Sequence, residues 1–176
     1  MSTRKTEINS VNLSFATNYM DEARYNFINK DGEHYKLLAY ISHMYNNTTI
    51  YDIGSYLGYS AVALSMNQTN QVVSYDIDWF IKVGRPHNVE FRVGDCFKDT
   101  LLLKSPFIVV DVDPHNGMWE KQFVEYLEKN EYKGNVFFDD IHLNEGMQKF
   151  WDELKQPKDD LTEFGHWSGS GLVYFR

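Results

Sequence analysis

Short apolar segments alternate with amphipathic segments along most of this chain. Five apolar segments have the length and the β-branched and aromatic content of buried strands: Thr48 to Ile53, Gln71 to Tyr75, Val89 to Val93, Phe107 to Val110 and Asn135 to Phe138. Apolar residues at helical spacing predict helices in five further segments: Glu33 to Tyr45, Ser60 to Met66, Trp79 to Val83, Met118 to Asn130 and Asn144 to Leu154.

The end of the chain has a different pattern. Leu161 to Gly165 and Leu172 to Arg176 are predicted as two strands, and the residues between them are rich in Gly and Ser, which favour turns. Because so short a link favours antiparallel strands, we expect a hairpin. The whole pattern predicts an α/β fold, in which a doubly wound, seven-stranded sheet is mostly parallel and has an antiparallel C-terminal hairpin.

An aspartate stands at or near the end of each of the five predicted central strands. These residues are Asp52, Asp76, Asp95, Asp111 and Asp139. Aspartate favours turns, which is enough to explain any one of them. Ligands of doubly wound sheets, however, bind outside the carboxyl ends of the strands, so a whole row of carboxylates there predicts a binding site.

The size of the chain indicates one domain. It has 176 residues, of which 43% are hydrophobic and 16% aromatic, and this is enough for a buried core. We expect a single domain over residues 1–176, with a helical leader at residues 1–46 and a core at residues 47–176. The aromatic residues of the leader either cover a cofactor or dock on the core, and docking is the favoured interpretation.

Charge and hydropathy narrow the class of protein. The formal net charge is -8 at pH 7, which argues against nucleic acid as a partner because phosphate contacts need clustered Lys and Arg. The apolar runs are far shorter than the roughly 20 residues that cross a bilayer, and the first residues do not resemble a signal peptide. The single cysteine, Cys96, cannot form an internal disulfide. We therefore expect a cytoplasmic protein without a membrane partner.

The first predicted strand runs into a turn that contains Gly54 and Gly58. A dinucleotide fingerprint needs the pattern G-x-G-x-x-G, but Tyr56 and Tyr59 occupy the positions of its later glycines. Their side chains would obstruct a pyrophosphate, which disfavours NAD and FAD. S-adenosylmethionine has no phosphate, and the two glycines can leave space for its amino-acid end.

The next two strand ends add polar groups to this candidate site. Asp76 closes the second predicted strand, where a carboxylate can accept hydrogen bonds from both ribose hydroxyls. Gly94, Asp95 and Cys96 follow the third strand. Asp95 is a candidate acceptor for the adenine amino group, or a helix cap, and the two roles can coexist.

The order of these motifs resembles that of the class I S-adenosylmethionine-dependent methyltransferases, and the resemblance covers about residues 48–176. It implies a Rossmann-like fold in which Asp52, Gly54 and Gly58 contact the methionine end, Asp76 the ribose and Asp95 the adenine. The cofactor-binding residues predicted in this way are Asp52, Gly54, Ser55, Tyr56, Gly58, Ser60, Asp76, Ile77, Gly94, Asp95, Cys96 and Asp111.

The fourth and fifth strand ends, which are similar to those of small O-methyltransferase-like proteins, carry a second polar group. Its members are Asp111, Asp113, His115, Asp139, Asp140 and His142. In catechol-type O-methyltransferases, carboxylates in this region hold Mg²⁺, and the resemblance implies Asp113, Asp139 and Asp140 as ligands of Mg²⁺ or another divalent metal. The adjacent acids Asp139 and Asp140, and the histidine at position 115, depart from the catechol-type motif.

Two other interpretations of this group stay open. In one, the reaction is metal-free and His115 or His142 is the general base, with Asp113 or Asp140 orienting its ring. In the other, Asp139 and Asp140 cap the following helix and the histidines are ordinary surface residues.

Together the motifs predict a methyltransferase that transfers a methyl group from S-adenosylmethionine to a small-molecule acceptor, at oxygen rather than nitrogen. So short a chain leaves few residues for acceptor recognition, so either the acceptor is small or another chain, such as the second copy in a homodimer, completes the pocket. One rival function is a non-catalytic S-adenosylmethionine-binding or scaffold partner of a larger methyltransferase. A second rival is an NAD-dependent reductase.

Overall fold

The structure is a computed structural model that describes the backbone of residues 2–176 and the side chains of residues 5–176. Its strands are β1 (Thr49–Ile53), β2 (Gln71–Asp76), β3 (Val89–Val93), β4 (Phe107–Val110), β5 (Gly134–Asp139), β6 (Lys158–Asp160) and β7 (Ser170–Phe175). They form one seven-stranded sheet in the order β3-β2-β1-β4-β5-β7-β6.

The central strands are parallel and the C-terminal strands are not. β1 pairs in parallel with both β2 and β4. From β1 the chain first adds β2 and β3 on one side and then returns to add β4 on the other side, so the direction of strand order reverses between β1 and β4. β7 runs antiparallel to both β5 and β6. The predicted fold class, a doubly wound sheet with an antiparallel C-terminal hairpin, is confirmed. The reversal places a topological switch point between β1 and β4, where sheets of this kind bind their ligands.

The helices are α1 (Ser2–Asn9), α2 (Glu22–Ile28), α3 (Tyr35–Ser42), α4 (Tyr59–Leu64), α5 (Met118–Lys129) and α6 (Glu145–Glu153). Short 3-10 helices occupy Ser14–Asn18, Cys96–Lys98, Thr100–Lys104 and Thr162–Phe164. None of the helices within residues 2–176 combines the length and the hydrophobicity that crossing a membrane requires.

Helices cover both faces of the sheet, and the side chains of β5 show how. Phe137 belongs to the apolar cluster formed with α3 and α4, whereas Phe138 belongs to the cluster formed with α5 and α6. Successive strand residues point to opposite faces, so a strand between two helical layers is apolar throughout. This explains why the central strands appear in the sequence as continuous apolar runs.

The leader packs against α3 and α4, and its aromatic residues Tyr19 and Tyr25 are partly buried there. Leu13, Ala16 and Ile28 are buried against Ala39 of α3 and Val62 of α4. Asn12, Ser14, Thr17 and Asn18, which lie before and after these positions, are exposed.

Two predicted elements are wrong. Trp79 to Val83 is not helical: the backbone N–H of Lys82 donates to Leu57 O, so the segment bonds to the glycine-containing turn rather than to itself. The predicted strand Leu161 to Gly165 is a 3-10 turn, and the edge strand lies just before it at Lys158–Asp160. Asp160 Oδ1 accepts from Thr162 N at 2.9 Å, which starts the turn.

Candidate functional site at the carboxyl edge of the sheet

The five aspartates predicted at the strand ends do lie along the carboxyl edge of the sheet. Asp76 and Asp139 are the last residues of β2 and β5, and Asp111 directly follows β4. Asp95 lies two positions after β3, and Asp52 is the fourth of the five residues of β1. They differ in exposure: Asp52 and Asp139 are buried, whereas Asp95 is exposed.

The two glycines of the turn after β1 are required by the backbone. Gly54 has φ +98°, and a Cβ placed on it would lie 1.7 Å from Asp111 O. Gly58 has φ +91°, and its Cβ would lie 2.7 Å from a methyl carbon of Val83. Only a residue without a side chain fits either place. The turn therefore packs directly against the end of β4, at the switch point of the sheet.

Asp52 is buried next to this turn and is linked to it by serine hydroxyl groups. Its Oδ2 atom accepts hydrogen bonds from Ser60 Oγ at 3.0 Å and Ser74 Oγ at 2.6 Å. Ser74 Oγ lies 2.5 Å from Ser55 Oγ, which continues the chain of hydroxyl groups. Full burial raises the pKa of Asp52 to about 6. Asp52 and Ser60 are thus buried beneath the turn, and Ser55 is buried with them.

Asp76 lies beside the turn and holds its backbone. Its Oδ2 accepts from Tyr56 N and its Oδ1 from Ile77 N, both at 2.7 Å. Next to this carboxylate is an open apolar surface, since 85% of Ile77, 64% of Tyr56 and 59% of Trp79 are exposed. A carboxylate beside exposed apolar side chains can bind a sugar hydroxyl pair with an attached aromatic ring.

Gly94, Asp95 and Cys96 continue this edge past β3. Asp95 Oδ1 accepts from Phe97 N at 3.0 Å, so the capping role considered from the sequence is present. Its other carboxylate oxygen lies 3.8 Å from Lys98 Nζ. Cys96 is buried, which raises the pKa of its thiol to about 12 and keeps it protonated at neutral pH. The protonated thiol is a weak nucleophile, so Cys96 is suited to line a pocket rather than to react.

Beyond the switch point, His115 lies among three carboxylates. Its Nε2 atom is 3.9 Å from Asp111 Oδ1 and 3.3 Å from Asp113 Oδ1, and its Nδ1 atom is 3.4 Å from Asp140 Oδ2. Loss of water around Asp111, together with the nearby charge of Asp139, raises the pKa of Asp111 to about 8. His115 O accepts from Asn144 Nδ2 at 2.7 Å, which anchors the loop to the start of α6.

His142 does not join this group. Its Nδ1 atom lies 2.6 Å from Gln148 Oε1 and its Nε2 atom 2.7 Å from Asp160 Oδ2. With both ring nitrogens engaged in this way, His142 is poorly placed to act as a base. The capping interpretation of Asp139 and Asp140 is also wrong, because Asn144 caps α6 by accepting from Met147 N.

Two histidines that sequence reasoning missed surround Asp139. His34 Nδ1 lies 3.0 Å and His166 Nδ1 3.5 Å from the same atom, Asp139 Oδ2. Asp139 and Asp140 raise the pKa of His166 to about 10. Burial alone would raise the pKa of Asp139, but the two histidines outweigh it and hold this pKa well below its usual range. We name His34, Asp139 and His166 the histidine cluster.

The side chains described by the structure form two groups that could hold a metal ion. One is the histidine cluster and the other is Asp111, His115 and Asp140. Asp113 lies outside both groups, and its side chain is 97% exposed. Because Asp139 Oδ2 faces two imidazoles and Asp113 faces solvent, an oxygen-only Mg²⁺ site of Asp113, Asp139 and Asp140 does not fit these positions.

Comparison with known proteins gives one result by sequence and another by structure. No family model and no curated protein matches the sequence. The fold, however, is similar to SAH-bound PaMTH1 from Podospora anserina, with a TM-score of 0.57 and 14% identity over 81% of this chain and 78% of that one. It is also similar to the O-methyltransferase TomG from Streptomyces achromogenes in complex with SAM, with a TM-score of 0.57 and 17% identity over 93% and 88% of the two chains.

A methyltransferase from Geobacter sulfurreducens matches over the whole of this chain. Its TM-score is 0.59 with 15% identity, and the alignment covers 100% of this chain and 98% of that one. Strand order, topology and these similarities show that the chain has the fold of the class I S-adenosylmethionine-dependent methyltransferases.

Proposed function

We propose that this protein is an S-adenosylmethionine-dependent methyltransferase that methylates a small molecule, at oxygen. The observation that carries the proposal is the position of Asp76, a carboxylate at the end of β2 that lies beside both the glycine turn and the exposed side chain of Ile77. TomG and PaMTH1, which have the same fold, contain SAM and SAH. TomG is described as an O-methyltransferase, which supports oxygen as the acceptor atom.

The residues present fit this cofactor. In the proposal, the turn of Gly54, Ser55, Tyr56 and Gly58, supported by Asp52 and Ser60, receives the amino-acid end, while Asp111 borders it. Asp76 accepts from the ribose hydroxyls, and Ile77, Gly94, Asp95 and Cys96 surround the adenine. The assignment uses no phosphate-binding group, which agrees with the bulky Tyr56 and Tyr59 in the turn.

S-adenosylmethionine, when bound, supplies a methyl group on a positively charged sulfur, which an acceptor oxygen can attack in line. The chain must hold the acceptor at this place and remove its proton. His115 is the proposed base, because its ring nitrogens lie 3.3 Å or more from the nearest carboxylate oxygens, whereas both ring nitrogens of His142 are engaged at 2.6 and 2.7 Å. Asp113 and Asp140 stabilise the imidazolium that forms when His115 takes the proton of the acceptor hydroxyl.

Three further predictions from the sequence belong to this proposal: one domain over residues 1–176, a cytoplasmic location, and either a small acceptor or a second chain, such as the other copy of a homodimer, that completes the acceptor pocket. The single cysteine supports a cytoplasmic location. The small number of residues left for acceptor recognition supports a small acceptor or a second chain.

Calorimetric titration with SAM, SAH and NAD tests the cofactor assignment. We expect binding of SAM and SAH at micromolar Kd, and weakening of at least about tenfold, or 1.4 kcal/mol, in Asp76→Ala. Asp78→Ala is the matched control, because it removes the same charge two positions further on, where Asp78 is exposed and accepts a hydrogen bond from its neighbour Trp79 N. Binding of NAD alone would leave the fold in place and contradict the proposed activity.

The variant His115→Gln distinguishes an enzyme from a non-catalytic protein that only binds S-adenosylmethionine. If the protein is an enzyme, this variant binds SAH as the wild type does but loses at least about 100-fold in the rate of methyl transfer, measured as SAH release in an acceptor screen. A scaffold protein would bind SAH and release none with any small-molecule acceptor, with or without His115.

A further inference from the structure

We propose that the histidine cluster binds one divalent transition-metal ion through His34 Nδ1, Asp139 Oδ2 and His166 Nδ1. The proposal does not depend on the proposed methyltransferase activity, because it rests on the geometry and burial of these three side chains. Zn²⁺ is the ion that this ligand set suits best, since zinc accepts imidazole nitrogen and carboxylate oxygen in one site.

The spacing of the three atoms matches that of zinc ligands. Ligands about 2.0 to 2.1 Å from a tetrahedral zinc ion lie roughly 3.3 Å from one another. The two measured separations from Asp139 Oδ2 are 3.0 Å to His34 Nδ1 and 3.5 Å to His166 Nδ1. One ligand atom from each of the three side chains lies within 4.8 Å of the other two. An ion can therefore enter with small side-chain rotations and without a change of backbone.

Burial of His34 gives a second, independent indication. The residue is 4% exposed, and its Nδ1 atom makes no hydrogen bond of acceptable geometry to any described residue, although it lies close to Asp139 Oδ2. A buried polar nitrogen without a hydrogen bond costs free energy. Coordination of a metal by this nitrogen would remove that cost.

The site has an opening and a neighbouring acceptor. His166 keeps 20% of its side chain exposed, so an ion can reach the cluster from solvent. Its Nδ1 atom also lies 2.6 Å from Ser168 Oγ and 3.3 Å from Asp140 Oδ1. Binding requires this nitrogen to exchange its contact with Ser168 for the metal, after which Asp140 can act as a fourth ligand or orient a water.

The donor set separates this site from an oxygen-only magnesium site. Two imidazoles and one carboxylate favour Zn²⁺ and similar ions over Mg²⁺, which prefers oxygen ligands. Selectivity is therefore part of the proposal.

The test is calorimetric titration of the metal-depleted full chain with Zn²⁺ and separately with Mg²⁺, in the absence of any adenosyl ligand. We expect one equivalent of Zn²⁺ to bind, and no saturable binding of Mg²⁺. Co²⁺ should bind at the same place and give a visible absorption spectrum typical of nitrogen and oxygen ligands. His166→Gln should weaken Zn²⁺ binding by at least about 100-fold, since loss of even an outer partner costs 10- to 100-fold.

Two variants show where the ion binds. His87→Gln is the control, because His87 is exposed and lies two residues before β3, at the opposite edge of the sheet, and we expect unchanged binding. His115→Gln removes a member of the other candidate group and should also leave the affinity unchanged. Circular dichroism of each variant checks that it folds, and His166, being partly exposed, is the cluster member least needed for folding.

The outcomes decide the proposal in either direction. Absence of stoichiometric Zn²⁺ binding would overturn it, as would binding that survives His166→Gln or that is lost in His115→Gln instead. Neither result bears on the binding of S-adenosylmethionine, so the proposed function would be judged separately by its own titration.

Discussion

The two halves of the carboxyl edge are stabilised by different interactions. In the glycine half, formed by the ends of β1, β2 and β3, the buried acid Asp52 bonds to the neutral hydroxyls of Ser60 and Ser74. In the histidine half, formed by the ends of β4, β5 and β7, the buried acid Asp139 faces the imidazoles of His34 and His166. The acids of one half thus accept hydrogen bonds from uncharged hydroxyl and backbone groups, whereas the acid of the other half is paired with histidines.

This difference indicates which half of the edge is suited to proton transfer and which to ligand binding. A site that only binds a ligand needs preformed shape, which turns and neutral hydrogen bonds supply. Proton transfer and metal binding need titratable groups whose charges are balanced by neighbours. The histidine half contains these groups, which is consistent with a division into cofactor binding and acceptor chemistry.

The largest expected effect comes from Gly54→Ala, at the point where the two halves meet. The new Cβ would lie 1.7 Å from Asp111 O, so the turn and the end of β4 must separate. We expect a loss of about 4 kcal/mol or more in the free energy of unfolding, measured with urea. Gly32→Ala is the matched control: it has φ +86° but nothing within 4 Å of the added Cβ, and it should cost about 1 kcal/mol. Equal losses would show that backbone strain alone, not the contact, matters.

Asp139→Asn and Asp52→Asn compare the two halves directly. Removing the charge of Asp139 leaves the buried His34 beside an amide, and we expect a loss of about 3 kcal/mol. Asparagine at position 52 can still accept from Ser60 or Ser74, so the expected loss is about 1 kcal/mol. Urea unfolding at neutral pH measures both. Similar losses would contradict the distinction between an acid paired with histidines and an acid that bonds to uncharged hydroxyl groups.

A smaller effect depends on pH. Burial opposes the charge of His142, but Asp160 and Gln148 outweigh it and raise the pKa of His142 above 6.5. A raised histidine pKa stabilises the folded state fully below pH 6.5, and this contribution disappears as the pH rises through the folded pKa. We expect Asp160→Asn to lower the histidine pKa in an NMR titration. The accompanying loss of stability should be below about 1 kcal/mol, because the pair is partly exposed, and should vanish at alkaline pH. An unchanged histidine pKa would exclude this pairing in solution.

The smallest effect on stability is expected for Ile77→Ala. The side chain is 85% exposed, so the change in the free energy of unfolding should stay within about 0.5 kcal/mol. If Ile77 contacts adenine, the same variant should nevertheless weaken SAH binding several-fold in calorimetry. A change of stability without a change of affinity would argue that Ile77 has a structural role.

Local sequence carries most of the information about the glycine half. β3 has the predicted bounds, β1 begins one residue later than predicted, and β2 ends one residue later. The two glycines and the acid that follows the second strand lie close together in the chain, so a turn and its neighbours can be recognised there. The error at Trp79 arose because large apolar residues suggested a helix, whereas the hydrogen bond from Lys82 N to Leu57 O ties this segment to the glycine turn.

The histidine half depends on contacts between distant parts of the chain. His34 precedes α3 and His166 lies in the loop before β7, and neither belongs to a local pattern that points to Asp139. Likewise β6 consists of Lys158, Asp159 and Asp160, whose polarity gives no strand pattern because they pair only at an edge. Predicting this half needs the tertiary fold, since only the fold brings these segments to one edge.

Titration of ¹⁵N-labelled protein with SAH tests the central claim, that the glycine half binds an adenosyl ligand, most directly. We expect saturable chemical-shift changes at the backbone amides of Gly54, Gly58, Ile77 and Cys96. The changes at Thr49 and Gln71, at the opposite edge of the sheet, should be smaller. Absence of shifts at saturating SAH, or shifts confined to the opposite edge, would contradict it.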